Sequence, residues 1–170
     1  VPDENEDWFN NLFQAHSEAV FRYFVRRAPV DDAQDLTADV FVIAWRRRND
    51  VPADSELPWL YKTAGYLLAN YRRKGRAIPL SPFTDSDFAD VSAETSTVHW
   101  SDNSTQVDEI AEVLQALSAK DRQILLLSAW EGLSGNEIAG VLGISRSGAD
   151  AALSRARARL RSAWAVVDAH

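Results

Sequence analysis

Between residues 77 and 105 the chain keeps no sustained hydrophobic period, whereas on either side apolar residues recur at three- and four-residue spacing. The aperiodic stretch is rich in Ser, Thr and Asp, contains Pro79 and Pro82, and carries five acidic side chains with no Lys or Arg. About thirty residues is longer than connections inside a compact domain usually run. The chain therefore reads as all-α, with two small helical domains, 1–76 and 106–170, joined by an acidic flexible linker, 77–105.

The first half predicts three helices. Over 7–28, Phe9, Leu12, Phe13, His16, Val20 and Phe24 form one apolar face, and Pro29 ends the run. His16 on that face is a core or edge histidine rather than a metal ligand, because no second ligand stands at a suitable spacing. Over 32–48 the stripe is Ala33, Leu36, Val40, Phe41 and Ala44, with Asp31 or Asp32 placed to cap its start. Asp35 and Asp39, four apart and off this stripe, are expected to face outward together. A loop at 49–58 leads to a helix from Pro58 to about Arg73, with Leu60, Ala64, Leu67, Leu68 and Tyr71 inward and Gly75 just beyond it.

The second half predicts four. The stripe Ile110, Val113, Leu114 and Leu117 is followed by Ser118, an N-cap with Asp121 three residues on. The next helix runs to about Trp130 and breaks at Gly132. Ser134 and Glu137 then have capping-box spacing, and Gly143 sits where a short helix needs a left-handed C-terminal residue. Ser145 or Ser147 caps the last helix, through Leu153, Ala156, Leu160 and Trp164. Residues 134–154 thus have the form of a helix-turn-helix, with Ile138, Leu142, Ile144, Ala149 and Ala152 holding its two helices together. In that arrangement the second helix offers its N-terminal residues to the major groove. Here these are Arg146, Ser147 and Asp150, then Ser154, with Arg155, Arg157, Arg159 and Arg161 approaching phosphates.

Charge bears on this directly. The net charge is −7, from 18 basic and 25 acidic side chains, which at face value argues against nucleic acid. The average conceals opposed segments. Residues 1–58 have 6 basic against 12 acidic side chains, whereas 59–76 have five basic and none acidic. Residues 145–161 hold five Arg against Asp150 alone. Screening in physiological salt acts over ~8 Å, so a local basic patch binds phosphate whatever the total charge. In 59–76 the cations Lys62, Arg72, Arg73, Lys74 and Arg76 interleave with Trp59, Tyr61, Tyr66 and Tyr71. Rings stack unpaired bases for roughly 1–3 kcal/mol each while cations follow the backbone, which suits melted DNA better than duplex. Each ring has core packing as its competing explanation.

Taken in order, these segments resemble the extracytoplasmic-function sigma factors of bacterial RNA polymerase over nearly the whole chain. The stretch from Asp32 to Trp45, DAQDLTADVFVIAW, is similar to the family's helix for binding core polymerase. The resemblance implies a polymerase contact at Asp35, Leu36, Asp39, Val40, Phe41 and Trp45. Trp59-Leu60-Tyr61-Lys62 with Asn70-Tyr71-Arg72-Arg73 is similar to its promoter-melting segment. That implies downstream promoter contacts at Trp59, Tyr61, Lys62, Tyr66, Asn70, Arg72, Arg73 and Arg76, with loop 49–58 where a flipped base is captured. Residues 117–127 and 133–145, continued by Arg155-Ala156-Arg157, resemble the domain that reads the upstream element. That implies contacts at Arg146, Ser147, Asp150, Ser154, Arg155 and Arg157. The chain departs from the family at Gly148-Ala149-Asp150, where a Thr-Val pair and then a basic residue are common, so the family's upstream preference does not transfer. Asp150 there would repel phosphate or accept from a cytosine amino group.

The resemblance implies core polymerase and promoter DNA as partners, an anti-sigma factor as a further one, and a cytoplasmic place of action. No cofactor, metal or catalysis is expected: there is no Cys, no Gly-rich phosphate loop, and 132–136 lacks the second glycine of a nucleophile elbow. No apolar run reaches membrane-spanning length, and the acidic N-terminal residues are unlike a signal peptide. In the linker, Asp85, Asp87, Asp90 and Glu94 either mimic a phosphate chain inside the polymerase channel or form a plain soluble spacer. Two other functions remain open from residues alone. A dimeric helix-turn-helix regulator accounts for 134–161 but leaves the aromatic-basic segment and the Asp35/Asp39 ridge unexplained, and a helical interaction module without DNA binding would be supported if alanine at Arg155 and Arg157 left promoter affinity and its salt dependence unchanged.

Overall fold

A computed structural model describes residues 3–74 and 105–169, and every regular element among them is an α-helix. The chain divides into two units, Val1–Val91 and Ser92–His170. Gly75, Arg76 and the linker acids Asp85, Asp87, Asp90 and Glu94 lie outside the described residues.

The first unit holds α1 (Glu4–Val25), α2 (Val30–Arg46) and α3 (Glu56–Lys74). Asp3 caps α1, accepting from the Asn5 amide at 3.0 Å, and Glu4, Glu6 and Asp7 place negative charge on the positive end of the helix dipole. Leu12, Val20 and Phe24 meet Leu36, Val40 and Ala44 of α2 and Leu60, Leu67 and Leu68 of α3 in one core. α1 starts three residues before the expected 7 and stops at Val25, three before the expected 28. Its last turn closes at Phe24, whose carbonyl accepts from both Arg27 and Ala28 at 2.9 and 2.8 Å. Pro29 then serves as the N-cap of α2, with φ −57° matching its ring, and no side chain caps that helix. The expected cap at Asp31 or Asp32 is therefore corrected. Both lie in the first turn of α2, and Asp32 instead accepts from the Tyr71 hydroxyl of α3. α3 starts two residues before Pro58, which sits in its first turn, where a missing N–H costs nothing.

Two polar ties hold α3 to its neighbours. His16 Nε2 lies 3.2 Å from Glu56 Oε2, joining α1 to the first turn of α3. At the other end Tyr71 donates to Asp32, and that bond, then burial, then the negative carboxylate hold the phenol above its ordinary pKa of 10.0, against a smaller opposing effect of Arg72. The sign follows from the neutral form being the donor. With a folded pKa raised above the unfolded one, this tie contributes fully below about pH 10 and is lost as pH rises through the higher folded value. Urea unfolding of wild type and Tyr71→Phe between about pH 9 and 11 should show wild type losing its advantage as the pH climbs. A constant difference across that range would refute the tie.

The second unit holds α4 (Thr105–Gln115), α5 (Ala119–Ala129), α6 (Gly135–Leu142) and α7 (Arg146–Asp168). α4 begins at Thr105, inside the stretch assigned from sequence to the linker. Ser118 caps α5 through the Asp121 amide at 3.2 Å. Gly132, at φ 66°, reverses the chain between α5 and α6, and Gly143, at φ 68°, ends α6 and makes the corner into α7. The core is Val113, Ile124, Leu126, Leu127, Ile138, Ala149, Leu153 and Ala156. Ile144 is a correction: expected to hold the corner through its side chain, it is 44% exposed, and its contribution to the turn is the backbone bond from its amide to the Ala139 carbonyl at 3.1 Å.

The capping box of α6 is complete. Ser134 Oγ accepts from the Glu137 amide at 3.2 Å, and Glu137 Oε1 accepts from the Ser134 amide at 3.1 Å. Ser134→Ala should lower the unfolding free energy by about 1 kcal/mol in thermal melts. A loss under a few tenths would mean water replaces the cap.

Candidate functional site

Three surfaces carry the sequence-predicted site residues, two on the first unit and one on the second. On α2 the predicted polymerase contacts divide. Asp35 is exposed and Trp45 half-buried, whereas Leu36, Val40 and Phe41 are at most 2% exposed. Asp39 was expected to face outward with Asp35 and is 4% exposed. The reason is geometric: residues four apart on a helix differ by about 40° in direction, enough to carry one of the pair from the rim to the interior side.

Phe41 is buried in an aromatic cluster that sequence reading split between two separate stripes. Its ring meets Phe13 edge-on at 5.0 Å and Phe9 at 6.3 Å, while Phe9 meets Trp45 at 5.6 Å. Edge-to-face placement joins the positive rim of one ring to the negative face of the next. These four rings, with Ala38 and Val42, line an open groove of about 710 Å³ between α1 and α2, edged by Glu6, Asn10 and Arg46. Phe13 and Val42 are 45% and 38% exposed there. Phe9 and Phe13 are the surface residues that sequence reading missed. Their i, i+4 spacing marks a contiguous apolar patch but not which side of it is covered.

On α3 the predicted downstream contacts also divide, and the dividing line is the helical period. Trp59, Lys62, Tyr66, Asn70 and Arg73 follow one another at three- and four-residue steps and therefore share a face. The first four are half-buried and Arg73 is exposed. Tyr61 and Arg72 point elsewhere. Tyr61 is 3% exposed with its ring 5.5 Å from that of Tyr23, so a stacking role for it is corrected to core packing. Arg72 donates to the Arg27 carbonyl in the α1–α2 connection. Arg27 is itself buried, its guanidinium 3.8 Å over the Tyr23 ring and donating to the Tyr23 carbonyl at 3.0 Å. Before α3, in loop 47–55, Arg47 Nε donates to Asp50 Oδ2 at 3.1 Å, an exposed bond within the loop.

In the second unit, Arg146, Ser147, Asp150, Ser154, Arg155 and Arg157 are all exposed on α7. The start of the helix is built by Ser145, whose Oγ accepts from the Gly148 amide at 3.0 Å and lies 3.4 Å from Ser147 Oγ. The period places Arg146, Asp150, Ser154 and Arg157 on one side and Arg155 about half a turn away. Arg159 was expected near phosphate. It instead donates to both carboxylate oxygens of Asp121 at 3.0 Å, joining α7 to α5. Asp121 is 8% exposed, so this arginine neutralises a charge that would otherwise be costly to bury. Arg157 Nη2 lies 3.4 Å from Ser128 Oγ, a long contact that leaves its side chain exposed.

No described helix is long and apolar enough to cross a membrane. Residues 107–160 match the family model for sigma-70, region 4, which spans most of the four-helix unit and stops within α7. The RNA polymerase sigma factor NccH of Alcaligenes xylosoxydans xylosoxydans is 30% identical over 160 residues, covering 89% of this chain and 84% of that one. The RNA polymerase sigma-E factor of Streptomyces avermitilis is 30% identical over 155 residues, covering 90% and 83%. Among solved structures, CnrH in complex with the cytosolic domain of CnrY has a similar fold, with a TM-score of 0.58 and 24% identity over 98% of this chain and 91% of CnrH. So does the sigma factor RpoE of Bartonella quintana in complex with the anti-sigma factor NepR, at 0.53 and 18% over 95% and 96%. With two relatives at 30% identity along almost their whole length and a region 4 match over the helix-turn-helix, the chain belongs to the extracytoplasmic-function sigma factors of RNA polymerase.

Proposed function

We propose that this protein binds core RNA polymerase through its first unit, helps hold melted promoter DNA along α3, and reads duplex upstream with α7. The observation that carries it is the open side of α7, where Arg146, Asp150, Ser154 and Arg157 stand exposed just after a capped, glycine-turned corner. The shared face of Trp59, Lys62, Tyr66, Asn70 and Arg73 supports the melting role, because rings and cations alternate along it. On α2, exposed Asp35 and half-buried Trp45 are the members of the predicted polymerase set that a partner can reach. Asp39, Leu36, Val40 and Phe41 support that surface from inside.

The protein catalyses no reaction in this scheme. Melting requires only tighter binding of unstacked than of stacked bases, which shifts an existing DNA equilibrium. It works where polymerase works, in the cytoplasm, and an anti-sigma factor is a natural further partner, as NepR is for RpoE. With a net charge of −7, the isolated chain should bind duplex weakly and depend on polymerase for much of the phosphate contact. The test is transcription from a mapped promoter with purified core enzyme, with and without this chain. Tight duplex binding by the chain alone with no stimulation of core enzyme would sink the proposal.

A further inference from the structure

The first turns of α6 and α7 meet at a contact that a helix-turn-helix does not itself require. Gly135 opens α6, and a Cβ placed on it would lie 2.2 Å from Asp150 Oδ1 and 3.3 Å from Asp150 Cγ. The Asp150 carboxylate thus fills the volume of the side chain that Gly135 lacks. The backbone gives no other reason for glycine there, since the positive-φ glycines of the described chain are Gly132 and Gly143. Gly135 and Asp150 explain each other.

The second carboxylate oxygen, Oδ2, faces Arg146, with Nε at 3.8 Å. A carboxylate on a surface that approaches phosphate is repulsive when alone. Here it lies between the Arg146 cation and the partial positive charge at the N-terminus of α6, and both offset it. Arg146 is 70% exposed and otherwise free to sweep a wide volume. At 3.8 Å this is a charge contact rather than a hydrogen bond, and it favours rotamers that keep the Arg146 guanidinium near Asp150 on the exposed face of α7 that the two residues share. A guanidinium fork is the group that reads guanine O6 and N7 in the major groove.

We propose that Asp150 is a positioning residue of the recognition helix: seated in the space left by Gly135, it orients Arg146 toward a base edge. This rests on the duplex-reading role proposed above and assigns the unusual acid of this helix to Arg146 rather than to cytosine. The test uses holoenzyme made from the full chain and core polymerase, with promoters randomised across the upstream element. Asp150→Ala should weaken the base preference at one position about fivefold or more, the lower range of a bidentate arginine contact. Gly135→Ala, which alters no DNA-facing side chain, should weaken the same position by displacing the carboxylate. The double variant should do no more than Asp150→Ala alone, and Arg146→Ala should abolish that preference and make Asp150→Ala silent.

Thermal melts accompany each variant. If Asp150→Ala unfolds, Gly135→Ala compared with Arg146→Ala carries the test. Effects at different positions, effects that add, or a uniform loss of output with base preference unchanged would overturn the positioning role. A wild-type holoenzyme with no upstream preference at all would overturn duplex reading itself, and the positioning role with it.

Discussion

Phe24→Ala should lower the unfolding free energy of the three-helix unit by about 3–5 kcal/mol, the range for removing a large ring from a packed core. Phe24 is 0% exposed, and its ring meets Tyr23 edge-on at 5.4 Å. Val20, Leu60 and Leu68 of the same core are likewise at most 2% exposed, so they have no free surface to collapse from. Domains of this size have roughly 5–15 kcal/mol in total, so the loss is a large share. Urea unfolding followed by circular dichroism measures it. Phe13→Ala is the matched control, since Phe13 is 45% exposed on the groove and has much less apolar area to lose. Equal losses for the two variants would show that the core is not where the structure places it.

The second large effect concerns α3. Trp59→Ala combined with Tyr66→Ala should cut open-complex formation by about 1.5 to 4 orders of magnitude, if each ring supplies the ~1–3 kcal/mol of a base–aromatic stack. Both rings sit on the face shared with Lys62, Asn70 and Arg73. The readout that separates stacking from folding is the template. On a promoter with a mismatched bubble the opening cost is already met, so the double variant should transcribe within a few-fold of wild type. Tyr61→Phe should leave opening unchanged, because Tyr61 is buried against Tyr23. A defect of equal size on duplex and bubble templates would assign the two rings to structure or to polymerase binding.

The difference between Tyr61 and Tyr66 shows how far the chain alone carries. Both stand among cations in an aromatic-basic run, and composition cannot separate them. Five residues apart on a helix, they point in widely different directions, and the packing of α1 and α2 decides which side is covered. The same holds for Asp35 and Asp39, one exposed and one 4% exposed on the same helix. It holds for Arg159 as well, whose partner Asp121 lies 38 positions away.

What was legible in the chain was local. Ser118, the Ser134–Glu137 box, Gly143 and Ser145 are satisfied by backbone groups within three or four residues, so their spacing alone specifies the cap or turn. Helical periods gave the all-α class and the break between two units for the same reason. Helix ends moved by a few residues, as between α1 and α2, where Arg72 of α3 donates to the Arg27 carbonyl and Pro29 starts α2. Long-range partners were not legible. The carboxylate of Asp150 against Gly135, the phenol of Tyr71 on Asp32 and the ring cluster of Phe9, Phe13, Phe41 and Trp45 each join residues distant in sequence. Periodicity determines which residues share a face. Which face is covered, and by what, is decided when helices pack, because burial depends on neighbours that no local spacing encodes.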